Sequence, residues 1–207
     1  MKIVASYKGM WTSLSRYWGD YGSWCDFFAS PLLHFSLLVA AASYSIWLKP
    51  NWVDLPLSLL PNLLGFSLGA YALIFSLADE RLLAALNAPT TDGSPTKLRM
   101  VNATFLHFIL VQTAAIIFAL ANKSTLLTDL VGLIPATPCF IKTIQTLLAG
   151  SAGLAGYFLT VYAVVLLIGA ALAAYRLAIM SGRAASIAQQ QPAPPPSIPS
   201  PPVSPQP

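Results

Sequence analysis

Charge is what this 207-residue chain has least of: 9% of its residues are Asp, Glu, Lys or Arg, while 56% are hydrophobic. A soluble globular domain carries about 25% charged residues. So sparse a set cannot coat a water-facing surface. That excludes a soluble enzyme, a disordered regulator and an ordinary nucleic-acid-binding domain, and it leaves an integral membrane protein. Cysteine is scarce too. Cys25 and Cys139 are too few for a disulfide scaffold. The first thirty residues hold Lys2, Lys8, Arg16, Asp20 and Asp26 without the apolar centre of a secretory signal. Catalytic signatures are also missing: there is no HExxH, no Gly-rich phosphate loop and no GxSxG. No convincing internal repeat is present.

Four apolar stretches are what the chain does have. A helix needs about 20 apolar residues to cross about 30 Å of hydrocarbon. Residues 31–48, 55–77, 101–121 and 147–175 meet or approach that length, and none contains an acid or a base. The expected fold is therefore all-α: a four-helix transmembrane bundle over 31–176. An amphipathic cytoplasmic segment over 1–30 precedes it, and a cytoplasmic tail over 177–207 follows. Lys and Arg gather on the cytoplasmic side of multi-pass proteins. Eight of the eleven bases fall on the side that receives the N-terminus, the second loop and the tail; Lys49, Lys123 and Lys142 fall on the other. Both termini are thus expected in the cytoplasm, in the cell membrane (the inner membrane if the source is bacterial). The net charge of +4 is explained without nucleic acid as a partner. This topology separates Cys25 from Cys139, so no disulfide is expected. Cys25 suits palmitoylation in a eukaryotic cell, but a small buried thiol is the plainer expectation.

Between the spans the pattern changes. Trp11, Leu14, Trp18, Tyr21, Cys25 and Phe28 lie on one face of a helix over 8–29. Trp and Tyr favour the headgroup layer, so this helix is expected in the inner-leaflet interface or against the bundle end. Residues 78–87 keep helical character beyond the second span, and Ser94-Pro95 is a helix start. Leu126 to Ile134 form an apolar stripe too short to span; an external lid is the first reading and a re-entrant loop the second. Asn122-Lys123-Ser124 is a glycosylation sequon, meaningful only in a cell that glycosylates. The end of the chain, 189–207, has nine prolines in nineteen residues. Such a composition cannot build a core, so a disordered tail is expected; a docking peptide for a Pro-motif partner is the sharper alternative.

The candidate functional residues lie on the spans. Ser58, Asn62, Gly65, Gly69, Ala72 and Ser76 share one face of the second. Ala149, Gly153, Gly156, Thr160, Ala163 and Ala170 form a matching row on the fourth. Lipid gives helices no hydrophobic reason to pair, so small residues that let backbones approach mark contact faces. The plain reading is packing within the bundle. The functional readings are association with a second copy or a membrane partner, or the lining of a small oligomeric pore. Pro61 lies inside the second span and predicts a kink or a late helix start, with Asn62 placed to satisfy a freed backbone group. His34 and His107 are the only ionisable residues at membrane depth, both in the inner half and near enough to be neighbours. Metal or haem ligation and proton transfer are the functional readings. With no Asp, Glu or Cys beside them a zinc site is incomplete, so two neutral histidines are the plainer expectation. No carboxylate pair sits at membrane depth, where an ion-coupled transporter would need one. No metal and no cofactor is expected, and the residues point to a non-enzymatic module that works by helix association.

Overall fold

A computed structural model of the chain describes residues 2–78, 80–90, 93–124, 129 and 138–190. The expected lid and the proline run beyond 190 lie outside these residues. Among the described residues all regular structure is helical. The helices are α1 (Lys2–Tyr21), α2 (Ser23–Ala29), α3 (Pro31–Ala42), α4 (Tyr44–Trp47), α5 (Asp54–Leu77), α6 (Glu80–Leu86), α7 (Lys97–Lys123) and α8 (Pro138–Gln190).

Three segments are long and apolar enough to cross a membrane: Asp54–Leu73, Lys97–Lys123 and Cys139–Gly182. A fourth exists if α2 and α3, bent by 51° at their break, count as one span. The chain therefore has three to four candidate spans. The expected first span over 31–48 is not one helix. It divides at Ser43 into α3 and the short α4, and Trp47 folds back so that its indole N–H donates to the Ala40 carbonyl at 2.8 Å. At about 1.5 Å per residue, the twelve residues of α3 cover only about half the hydrocarbon thickness.

Other boundaries differ from the sequence reading for local reasons. The N-terminal helix breaks at Gly22 and Ser23, with φ of 112° and 66°; glycine tolerates this left-handed turn at little cost. The second span stops at Ala78, whose extended backbone separates α5 from α6. The third begins at Lys97, not after Ser94: the Thr96 hydroxyl is the N-cap and accepts from the Arg99 N–H. Pro61 neither delays nor ends α5, which runs through it from Asp54. The Asn62 side chain donates to the Ser58 carbonyl at 3.2 Å. That is one residue past the Leu57 carbonyl that Pro61 leaves without its helical donor. Helix α8 continues beyond 175 to Gln190. Leu177 on this extension is buried against Leu82 and Leu86 of α6. Cys25 is exposed, not a buried thiol, and Cys139 is exposed as well; both are free.

Helix α7 is the hub. It packs against α8, α5 and α1, while α3 packs against α8. Leu33, Phe105, Phe108, Tyr162, Leu166 and Ala170 make the main core, and Leu60, Ala115 and Ala163 a second one. Polar links cross the apolar contacts. Ser67 and Gln112, both buried, face each other at 3.4 Å between α5 and α7, and the Tyr71 hydroxyl donates to Asn102 at 3.3 Å. Outside the cores, Leu37, Leu38, Phe66, Leu73, Ile117 and Ile168 are all more than half exposed. An apolar exterior shared by every candidate span is compatible with contact to lipid.

Candidate functional site: two small-residue rows and a histidine cluster

The two rows of small residues have opposite environments. On α8, Gly153 and Gly156 are buried. A Cβ added to Gly153 would collide with the Trp47 carbonyl oxygen, and one on Gly156 with the Trp52 ring. Thr160, Ala163 and Ala170 continue this row inward and are buried too; Ala149, at its outer end, is exposed. The partner of Gly153 and Gly156 is thus the end of α4 and its connection to α5, with Trp52 and Val53 themselves buried, while Ala163 packs with Leu60 and Ala115 and Ala170 belongs to the main core. The indole ring lies where a larger residue than glycine would stand.

On α5 the row is open. Ser58, Asn62, Gly65, Gly69, Ala72 and Ser76 are all exposed. No heavy atom lies within 4 Å of a Cβ built on Gly65 or Gly69, beyond the helix's own neighbouring backbone. The residues that α5 turns inward include Pro56, Leu60, Ser67 and, partly, Leu63 and Tyr71. Packing among the described residues therefore accounts for the α8 row and does not account for the α5 row. Two polar members of the α5 row serve their own helix: the Ser58 hydroxyl donates to the Leu55 carbonyl at 3.0 Å, and the Asn62 side chain donates to the Ser58 carbonyl.

The two histidines are not brought together. His34 is exposed on α3, outside the cluster that holds His107. His107 is buried, with both ring nitrogens occupied. Nδ1 lies 2.6 Å from the Tyr17 hydroxyl of α1, and Nε2 lies 3.0 Å from the Tyr162 hydroxyl of α8. Tyr21 stacks on the imidazole, with centroids 4.1 Å apart and planes 18° apart, and Phe27 meets it edge-on. A neutral imidazole has one donor and one acceptor nitrogen, and two tyrosines use both. A metal would have to displace a tyrosine to coordinate. Among the described residues no group of three or more His, Cys, Asp or Glu is placed to hold a metal.

Tyr21 belongs to the stripe of Trp11, Leu14 and Trp18 that the sequence shows, but Tyr17 and Tyr162 do not stand out in it. Trp11 and Leu14 are exposed, and the residue α1 buries is Tyr17, one position from Trp18. Burial raises the Tyr17 hydroxyl far above the ordinary phenol range, and the neighbouring Tyr21 pushes in the same direction. Tyr21 is raised as well, chiefly by burial, against a lowering hydrogen bond from Tyr162. Both therefore stay protonated and able to donate. Asp20, near the end of α1, pairs with Arg99 at the start of α7, through Nε at 3.1 Å. At the far end of α7, Lys123 pairs with Asp54 of α5 at 3.1 Å. No protein-family model, no curated protein and no solved structure matches the chain, so its function is argued from this geometry alone.

Proposed function

We propose that the chain is a non-enzymatic, multi-pass membrane module that works by helix association, with itself or with a membrane partner, through the open face of α5. The observation that carries this is the exposure of all six residues of the α5 row, beside an α8 row of the same composition that is largely filled. From Ser58 to Ser76 the row runs about 27 Å at about 1.5 Å per residue, close to the hydrocarbon thickness. A second helix can therefore lie along it for the full depth of the membrane. Small residues let backbones come close, and close packing is the main attraction available between helices in lipid. The side-chain polar groups of Ser58 and Asn62 are already bonded to their own helix, which favours a contact face over the lining of a pore.

We read both termini as cytoplasmic. The charge asymmetry of the loops supports this, and so does the Asp20–Arg99 pair, which holds the end of α1 beside the start of α7. Lys123 and Asp54 meet at the opposite end. The test is the mass of the purified protein in mild detergent by light scattering. An assembly that falls apart in Gly65→Leu and Gly69→Leu is expected; one that is unchanged in both overturns a self-association role for this face.

A further inference from the structure

The elbow between α2 and α3 leaves a cleft of about 420 Å³ against α7 and α8. That is within the range of small-molecule sites, about 300–1,000 Å³. Its walls include Tyr21, Asp26, Thr104, His107, Phe108 and Leu166. Asp26 is the one charged side chain among the lining residues. It is exposed and makes no ion pair among the described residues. Arg99, at the start of α7, is paired with Asp20. The cleft is graded. Asp26 precedes the α2–α3 break, whereas Phe108 and Leu166 belong to the main core inside the candidate spans. Between them lie the rings of Tyr21 and His107, stacked on each other with centroids 4.1 Å apart. His107 offers no free lone pair, because both nitrogens are engaged.

We propose that this elbow cleft binds an amphiphilic organic cation, with its positive head at Asp26 and its apolar body against Phe108 and Leu166. The lone carboxylate selects the charge, a single carboxylate is too few ligands for a hard metal ion, and the apolar floor selects a greasy body. The head is either that of a free organic cation or the ammonium of a lipid headgroup. The site is independent of the α5 face and stands or falls separately from it.

Equilibrium dialysis of the full-length protein in non-ionic detergent tests this, with tetraphenylphosphonium as probe and tetraphenylborate as its anion of similar shape. Saturable binding of one phosphonium per chain is expected, with no saturable binding of the borate. Affinity should fall by about tenfold, equivalent to about 1.4 kcal/mol, in Asp26→Asn and in Ala29→Trp, which crowds the mouth. It should be retained in Asp26→Glu. Repeating the measurement in nanodiscs separates the two sources: competition by phosphatidylethanolamine, relative to phosphatidylglycerol alone, assigns the head to a lipid, and its absence assigns a free cation. Uptake that does not saturate, or saturable uptake that Asp26→Asn leaves unchanged while the variant unfolds like the parent, overturns the proposal.

Discussion

Helices α5 and α8 carry the same kind of surface and meet opposite fates. Each has two glycines and several small residues on one face. On α8 the face is occupied by Trp47 and Trp52, from the end of α4 and the turn that follows. On α5 nothing in the described chain occupies it. Composition marks a face as able to be approached closely. It does not say by what, because the approaching group is drawn from elsewhere in the chain or from another molecule. A large ring on a short connection is one answer, and a second membrane helix is another.

The comparison is broken most severely by enlarging the filled row. Gly156→Leu and Gly153→Leu force a side chain into the Trp52 ring and the Trp47 backbone. Overpacking of this kind costs about 1–3 kcal/mol, and Gly153 should stand at the upper end because a backbone carbonyl cannot rotate away. Unfolding of the monomer in mixed detergent micelles measures it. Equal stability of the Gly153 variant and the parent would mean the two rows do not differ.

The same change on α5 should act on a different observable. Gly65→Leu and Gly69→Leu should leave monomer unfolding unchanged or raise its stability by up to about 1 kcal/mol, the helix penalty of glycine. Association should weaken by about tenfold or more, about 1.4 kcal/mol, read as a shift of the concentration at which the assembly dissociates. A fall in monomer stability matching that of Gly156→Leu would show the α5 face to be internal after all.

A smaller effect is expected where α1 meets α7. Tyr17→Phe removes the hydroxyl beside His107 Nδ1, at a cost of about 1 kcal/mol for a net hydrogen bond. It should raise amide exchange in α1 and leave the oligomeric state alone, since α1 lies on α7 and not on α5. The smallest effect concerns pH. The Tyr17 and Tyr21 hydroxyls are raised above the ordinary phenol value. Folding therefore favours the protonated form, and its contribution is complete below about pH 10. It is lost as pH rises above that value through the folded pKa. Docking of α1 should be constant from neutral pH to about pH 9 and loosen above about pH 10, followed by tyrosinate absorbance and amide exchange together. Loosening below pH 9 would assign the latch to another group.

Parts of this were legible in the residues. The charge-free stretches located α5, α7 and the apolar part of α8, because burial of a backbone in lipid demands long uninterrupted runs. His107 stood out in the residues as well, though paired there with His34. Its structural partners did not. Tyr17 sits on the edge of an amphipathic stripe whose Trp and Leu residues dominate any reading by hydrophobicity, and Tyr162 is one of several aromatics in a long apolar run. Hydrogen bonds between residues 90 and 55 positions apart leave no periodic trace. The break of the first span at Ser43 escaped for a related reason: the Trp47 indole donates back to the Ala40 carbonyl, a contact set by packing and not by propensity.

The sequence by itself determined that the chain is helical, apolar and polarised in charge, since those follow from composition and from runs of like residues along one strand of covalent structure. Only the tertiary structure decided which small-residue row is filled and which stands open, that His107 meets two tyrosines and not His34, and that Asp26 faces a cleft. These depend on which distant segments share a volume. Close packing permits one occupant per space, and Trp52 took the space beside Gly156 while the space beside Gly65 stayed free.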